Sequence, residues 1–234
     1  MASICRITSI NCTLRQMTTR RPTSGENTAR RRNAKATREA LLTEGERLFA
    51  QYGFEGVSLE KLGDRVGVNK TLISYHFKSK KGLYAAVIVS IIQDVMDAIS
   101  CRLHEVDDAS ENFRQHVRAL VFSFAERQTF CAILMREYIG GSGVYDEESF
   151  HHVLKLFRQT EKLYKDGLAQ GKFKELNPHL LHLSVVGPIV HFVVSRNFRD
   201  QSLANVASDI DNPSVEMFAA HHQQMIMEGL ILKP

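Results

Sequence analysis

The spacing of apolar positions along the chain predicts a fold made of helices. From Lys35 onward, apolar or small residues recur three or four positions apart, at Leu41, Gly45, Leu48 and Tyr52. This period places side chains on one face of a helix. Gly53 ends the first helix, because glycine readily takes the left-handed backbone conformation that closes a helix.

Two short helical segments follow, separated by a glycine turn. Ser58 is the predicted N-cap of the second helix, Gly67 ends it, and Asn69 caps a third helix that runs to Tyr75 or His76. Serine and asparagine suit N-cap positions because their side chains accept a hydrogen bond from a first-turn amide. Helices this short are not stable alone, so both must pack on their neighbours.

The rest of the chain continues the helical pattern. Ser79 caps a fourth helix that runs amphipathically to Ile99, and further helices are predicted at about 110–127, 129–139, 147–170, 178–198 and 213–231. They are separated by segments at 140–143, 171–177 and 200–212. No segment shows sustained strand-like alternation, so the predicted fold class is all-α.

Composition and charge narrow the class of protein. The 234 residues are 44% apolar and 24% charged, which is ordinary for a soluble protein. The net charge of +4 is uneven, since residues 1–38 hold nine Arg or Lys and one acid, Glu26. Such a basic arm is typical of a segment that binds the phosphates of a nucleic acid, or of a solvated tail. We predict that residues 1–34 form a basic, disordered arm, with Met17 as an alternative start.

Cysteine spacing and hydropathy bear on the compartment. The cysteines are Cys5, Cys12, Cys101 and Cys131, without a C-x-x-C pair, which favours a reduced, cytoplasmic protein. The most apolar region, 180–194, is interrupted by polar residues and Pro188. It falls short of the roughly 18 residues of a membrane span, so we expect no membrane partner.

Two short helices joined by a glycine turn are typical of a helix-turn-helix. The major groove of DNA admits one α-helix, whose exposed residues must carry donors and acceptors for base edges. Helix N-termini in turn offer amides to phosphates. The candidate DNA-binding residues are Ser58, Asn69, Lys70, Thr71, Ser74, Tyr75, His76 and Lys80. Taken alone, these polar residues are also compatible with a solvated surface.

Residues 35–84 resemble the N-terminal DNA-binding domain of the TetR family of bacterial transcription regulators. The landmarks that match at the family's intervals are Tyr52-Gly53-Phe54, Gly56, Ser58, Leu62, Gly67-Val68, His76-Phe77, Ser79-Lys80 and Leu83. The resemblance implies a helix-turn-helix domain at 35–95, with its motif at 58–77, and a ligand-binding and dimerisation domain at 96–234. It implies a ligand-responsive dimeric repressor that binds a pseudo-palindromic double-stranded operator and needs no cofactor.

Two positions depart from the family pattern. Gly63 stands where the family commonly has Ala, and glycine costs roughly 1 kcal/mol in helix propensity. A close approach of the third helix to this position is one explanation for the glycine. Ser74 stands where the family usually has a Tyr that contacts phosphate, with Tyr75 following it. We therefore assign the phosphate contact to Tyr75 and His76.

The larger domain carries a predicted dimer interface and a predicted pocket. The helix at 178–198 is apolar nearly all round, so both faces should be buried, and the helix at 213–231 is its natural partner in a homodimer. Pro188 should kink the first of these helices. Phe122, Arg136 and His191 are the candidate pocket residues for an unidentified small-molecule effector. Core packing or surface ion pairing would explain them as well.

Other functional classes are weaker. The sequence contains no nucleophile elbow, P-loop or Rossmann glycine pattern, so we predict that the protein is not an enzyme. His179 and His182 have a spacing that could chelate a metal, but no acid or cysteine stands at a matching interval, and no metal site is predicted. The alternatives to a regulator are a metal sensor or a helical interaction module that does not bind DNA.

Overall fold

The structure is a computed structural model that describes residues 24–140, 147–206 and 210–232. Within these ranges the chain forms ten helices, α1 Ser24–Tyr52, α2 Leu59–Val66, α3 Lys70–Phe77, α4 Lys80–Ser100, α5 Ala109–Glu126, α6 Gln128–Gly140, α7 Glu147–Ala169, α8 Pro178–Val194, α9 Arg196–Val206 and α10 Val215–Leu230. An antiparallel bridge joins Phe173 and Ile231. The predicted all-α fold is confirmed.

The N-terminal part departs from the predicted boundaries. Helix α1 begins at Ser24 rather than at Lys35, because alanines and the three arginines Arg30, Arg31 and Arg32 favour helix as strongly as the residues after them. The rest of the predicted arm, with Met17, and the glycines of 141–143 lie outside the described residues. From Arg38 onward the described chain forms one compact unit, so a division near residue 95 stays a prediction.

The segment 200–206 was wrongly predicted as part of a linker, and the predicted helix at 178–198 was placed across the end of α8. Helix α9 extends into the segment expected to link the last two helices, where sparse apolar residues hide the helical period. Helix α8 runs without interruption through Pro188. It ends at Val194, and Ser195 separates it from α9. The Arg199 guanidinium stabilises this junction between the two helices, because Nη1 donates to the Phe192 carbonyl at 2.6 Å and Nε donates to Asn212 Oδ1 at 3.2 Å.

Helix α4 is a long, apolar helix of 21 residues. By length and composition alone it could cross a membrane, as could α8 joined to the first part of α9 across a 53° bend. In this fold, however, the apolar face of α4 packs against α5, α6 and α7. Its buried residues are Leu83, Tyr84, Val87, Ile88, Ile91, Ile92, Val95 and Ile99. This packing gives α4 the character of a core helix.

Candidate nucleic-acid interface

Capping interactions set the geometry of the two short helices. Ser58 Oγ accepts a hydrogen bond from the Lys61 amide at 3.1 Å, and Asn69 Oδ1 accepts one from the Leu72 amide at 2.8 Å. Gly67, with φ of 77°, closes α2 in the left-handed conformation. A Cβ at Gly63 would lie 2.5 Å from the Val68 carbonyl oxygen. The glycine that departs from the family pattern therefore lies where the turn passes very close to α2.

The exposed face of α3 carries most of the predicted base-reading residues. Asn69, Lys70 and Thr71 are exposed, and Tyr75 is 79% exposed one turn after Thr71. Lys70 Nζ forms an ion pair of 2.7 Å with Glu60 Oε1 of α2. This pair lowers the pKa of the Glu60 carboxyl through the hydrogen bond from Lys70. Sequence reasoning did not identify Glu60, because the pair depends on how α2 and α3 cross.

Ser74 and His76 are less accessible than Tyr75. Both are half-buried, and His76 Nε2 is buried without a hydrogen-bond partner among the described residues. The imidazole lies against the rings of Tyr75 and Phe77, with centroid distances of 5.4 and 6.0 Å. Tyr75 is therefore better placed than His76 for the predicted phosphate contact, and both assignments stay predictions.

The N-terminus of α4 is arranged to receive an anion. Ser79 Oγ accepts a hydrogen bond from the Gly82 amide at 3.0 Å, as predicted for its N-cap. The earlier amides of Lys80 and Lys81 remain at the end of the helix, where the helix dipole favours negative charge. Lys80 Nζ lies 4.4 Å from the centre of the Phe54 ring and 3.9 Å from Glu55 Oε2. These contacts hold the ammonium against Phe54 and Glu55.

Lys78 joins α3 to α4 in a strained backbone conformation. Its φ of 65° is the only positive value of a residue other than glycine in the described chain. With a ψ of −46° it lies outside the left-handed helical region, and a sparsely populated backbone conformation of this kind costs roughly 1–3 kcal/mol. Lys78 is exposed between the two helices predicted to contact DNA, so its ammonium can reach a phosphate.

We predict that Lys78→Gly raises the free energy of unfolding by up to about 1 kcal/mol, since glycine adopts positive φ without a steric penalty. The same change removes a cation and should weaken DNA binding. Urea denaturation would measure the first effect. Lys81→Gly, at an ordinary helical position, is the control and should not stabilise; equal effects of the two changes would contradict the strain argument.

The residues predicted to line one effector pocket do not share one environment. Arg136 faces α1, where Nε donates to the Ala50 carbonyl at 3.1 Å and Nη2 donates to the Gln51 carbonyl at 2.9 Å. It satisfies carbonyls that the end of α1 leaves unpaired, and it also lines a cavity of about 560 Å³ together with Phe54 and Met135, so its role in an effector pocket stays a prediction. Phe122 of α5 is half-buried beneath the Arg118 guanidinium, at 4.9 Å. His191 lies on the exposed face of α8, and both remain predictions.

Several histidines of the larger domain are structural. His116 of α5 and His182 of α8 both contact Thr160 Oγ1 of α7, at 3.0 and 3.2 Å. His179 and His182 flank the Phe157 ring. No group of three or more side chains suited to hold a metal ion occurs in the described ranges. His182, one of the two candidate ligands, is thus engaged in the core.

Helices α8 and α10 each expose one continuous stripe. On α8 the stripe consists of Leu180, Leu183, Ser184, Gly187, Pro188, His191 and Val194. On α10 it consists of Met217, Ala220, His221, Gln224, Met225 and Glu228. The helices meet through the stacked rings of Phe192 and Phe218, with centroids 4.0 Å apart, and through His222, whose Nε2 donates to the Val185 carbonyl at 2.8 Å.

Comparisons with known proteins agree with this architecture. Residues 41–87 match the family described as bacterial regulatory proteins, tetR family. Residues 109–230 match the C-terminal domain of the HTH-type transcriptional dual regulator CecR. The chain is similar to the HTH-type transcriptional regulator RutR of Escherichia coli K12, at 25% identity over 210 residues, which cover 86% of this chain and 93% of RutR.

Of two further similarities, one covers a smaller part of the chain and the other concerns the fold alone. The HTH-type transcriptional activator FasR of Mycolicibacterium smegmatis is 27% identical over 122 residues, 51% of this chain and 55% of FasR. A solved TetR family transcription regulator from Marinobacter aquaeolei VT8 superposes with a TM-score of 0.68 at 18% identity, covering 87% of this chain and all of that chain. This structural likeness supports the fold alone.

Proposed function

The chain belongs to the TetR family of bacterial regulatory proteins, a family of DNA-binding transcription regulators and not of enzymes, and we propose that it is a ligand-responsive dimeric repressor. Its operator would be a pseudo-palindromic double-stranded DNA site. Its effector would be a small molecule bound in the larger domain. We place its action in the cytoplasm, where bacterial DNA lies.

The exposed end of α3 carries the proposal for operator recognition. Asn69, Lys70, Thr71 and Tyr75 present amide, ammonium and hydroxyl groups on one accessible surface, and such groups pair with base edges in the major groove. The free amides of α4, with Lys80 beside them, would bind the adjacent phosphate. In this proposal, base contacts fix the sequence preference and phosphate contacts position the helix.

The exposed stripes of α8 and α10 support the homodimer. Ser184, Gly187 and Pro188 are small or compact, so a second copy of α8 can approach closely, while Leu180 and Leu183 supply apolar surface. Two-fold pairing of the four helices would bury both stripes. It would also hold two recognition helices about 34 Å apart, the spacing of successive major-groove faces.

Helix α6 supports a link between effector and operator binding. Its Arg136 holds the end of α1, Glu137 Oε1 accepts a hydrogen bond from the Tyr84 hydroxyl of α4, and Thr129 at its start bonds to Glu46 of α1. A ligand that favours another position of α6 would therefore move α1 and α4. The operator affinity would fall through the ligand's preference for one of two states.

DNA binding can be tested with fluorescent DNA from the regions that flank the gene, by anisotropy over a range of salt concentrations. We predict that Lys80→Ala weakens binding to all sequences alike. It should flatten the slope of log affinity against log salt by about 0.9 for each phosphate that the protein no longer neutralises, or about 1.8 for a dimer.

Lys70→Ala is expected to act differently, by relaxing the sequence preference. A base contact typically contributes about 1–3 kcal/mol of discrimination, and competition between operator variants would measure how far that discrimination falls. Lys165→Ala is the matched control, because Lys165 is a similarly exposed lysine paired with Glu161 at 2.9 Å on α7. Unchanged affinity and preference in both Lys70 and Lys80 variants would remove these assignments.

A reporter gene placed downstream of the bound site would distinguish a repressor from an activator. Deleting the regulator should raise expression, and adding the effector should raise it in the intact strain. Lower expression on deletion would instead favour an activator. Absence of salt-dependent binding to any DNA would favour the alternative of a helical interaction module.

A further inference from the structure

The cavity of about 560 Å³ that Arg136 lines lies between the end of α1, helix α6 and the last residue of α8. Pockets that hold small molecules usually occupy roughly 300–1,000 Å³, so its volume suits such a ligand. Its wall is mostly apolar and includes Phe54, Met135, Ile139 and Val194. This wall favours a ligand with a hydrocarbon body, because the burial of apolar surface drives binding.

The charged groups of the wall leave one cation available to a ligand. Glu55 pairs with Lys80 at 3.9 Å, and Glu137 accepts a hydrogen bond from the Tyr84 hydroxyl. Arg136 forms no ion pair within the described ranges. Its Nε and Nη2 donate to carbonyls at the end of α1, but Nη1 donates no hydrogen bond to any described residue. The guanidinium therefore has one nitrogen left for an acceptor.

Arg136 Nη1 is within reach of a molecule in the cavity. It lies beside Gly53, where an added Cβ would be 3.6 Å from Nη1, and both residues line the cavity. A carboxylate would form a charge-assisted hydrogen bond with this nitrogen. The negative end of the α1 dipole opposes an anion. Its carbonyls, however, already accept hydrogen bonds from the same guanidinium, which compensates that end of the helix.

The wall of the cavity also holds a predicted DNA contact. Lys80 Nζ lies 4.4 Å from the centre of the Phe54 ring, and it donates to the Glu55 carbonyl at 3.4 Å. Phe54 and Glu55 both line the cavity, so a ligand that displaces the turn after α1 also displaces the ammonium of Lys80. The cavity and the predicted phosphate contact are thus connected through this turn.

We propose that this cavity is the effector site and that it binds a carboxylic acid with a hydrocarbon body, whose carboxylate pairs with Arg136 and whose body packs against Phe54 and Met135. The proposal rests on the proposed function, because it identifies the site and the chemical class of the effector. A ligand that binds better when the turn after α1 has moved would lower operator affinity through its preference for that state.

The test compares three probes with one carbon skeleton: 4-phenylbutanoate, 4-phenylbutan-1-ol and 4-phenylbutylamine. Calorimetry with the full chain in the absence of DNA should give saturable binding of one acid per chain. The alcohol should bind about tenfold more weakly, because it offers only a neutral acceptor, and the amine should not bind. Arg136→Gln should weaken binding of the acid about tenfold and that of the alcohol by less than about threefold. Arg158→Gln, at an exposed arginine of α7, is the matched control.

A second variant tests the site even if Arg136→Gln fails to fold. Ile139 is 80% exposed in the cavity wall, so Ile139→Glu should fold normally and weaken acid binding about fivefold through like-charge repulsion. Val106→Glu, at a position 44% exposed and outside the cavity, should not weaken it. Three results would overturn the site: no saturable binding of the acid, acid binding no tighter than amine binding, or acid binding that both cavity variants retain.

Operator affinity is then measured separately by anisotropy, with and without 4-phenylbutanoate. The acid should lower the affinity of the native protein about fivefold or more, and the same concentration should affect Arg136→Gln less. Acid binding that leaves operator affinity unchanged would remove the effector role. Operator binding by a protein that does not bind the acid would reject the cavity and leave the regulator, whereas acid binding by a protein that binds no DNA would do the reverse.

Discussion

Leu183→Glu is expected to convert the proposed dimer into monomers and to lower operator affinity by about 10²–10⁴-fold, the advantage that two linked binding modules hold over a single one. Leu183 is 51% exposed in the α8 stripe. In a two-fold interface the substitution occurs twice at facing positions. Two carboxylates would then be buried against apolar surface without partners, which a marginal interface cannot tolerate.

Light scattering would measure the mass, and anisotropy with a full operator and a half-operator would measure the affinity. The variant should bind the full site no better than the half-site. Val106→Glu is the matched control, because Val106 is 44% exposed on the loop between α4 and α5, away from both stripes. A Leu183→Glu protein that stays dimeric and keeps its operator affinity would exclude α8 as the interface.

The local features of the helix-turn-helix could be predicted from the sequence because each depends on a few neighbouring residues. The N-caps at Ser58, Asn69 and Ser79 are confirmed by their hydrogen bonds to first-turn amides. Gly53, with φ of 70°, closes α1 as expected. Caps and left-handed glycines act within one turn of helix, so sequence spacing alone identifies them.

Features that depend on tertiary contacts were not predictable in the same way. The partners of Arg136 are carbonyls at the end of α1, 86 and 85 positions earlier in the chain, which no local pattern identifies. The Glu60 and Lys70 pair depends on the crossing of α2 and α3. The second half of helix α9 was missed because Arg199 holds this helix through hydrogen bonds to Phe192 and Asn212, outside α9, and its sequence has no apolar period.

The buried histidine His116 predicts a loss of stability in mild acid. Its side chain is 0% exposed, and burial, together with the nearby His182, lowers its pKa to about 3. In the unfolded chain the imidazole has its ordinary pKa of about 6.5. Below that pH the unfolded state therefore binds a proton that the folded state rejects, and the free energy of unfolding falls as the pH falls.

The hydrogen bonds around Thr160 explain why the folded state resists protonation. The Thr160 hydroxyl donates to the Leu156 carbonyl at 3.2 Å, so its oxygen accepts from His116 Nε2 at 3.0 Å. His116 Nδ1 has no hydrogen-bond partner among the described residues. A proton on Nδ1 would create a buried donor without an acceptor, next to His182, whose own pKa is lowered to about 4 by burial and by His179.

We predict that the free energy of unfolding of the native protein, relative to that of His116→Gln, falls by about 2 kcal/mol between pH 7.5 and pH 5. Glutamine can still donate to Thr160 but does not titrate, so the difference isolates His116 from all other groups. Urea denaturation at fixed protein concentration would measure it, with His221→Gln as the control for an exposed imidazole. Parallel pH profiles of the native protein and His116→Gln would mean that His116 is protonated equally in the folded and the unfolded state. The side chains of His116, Thr160 and His182 would then have to move apart to admit the proton.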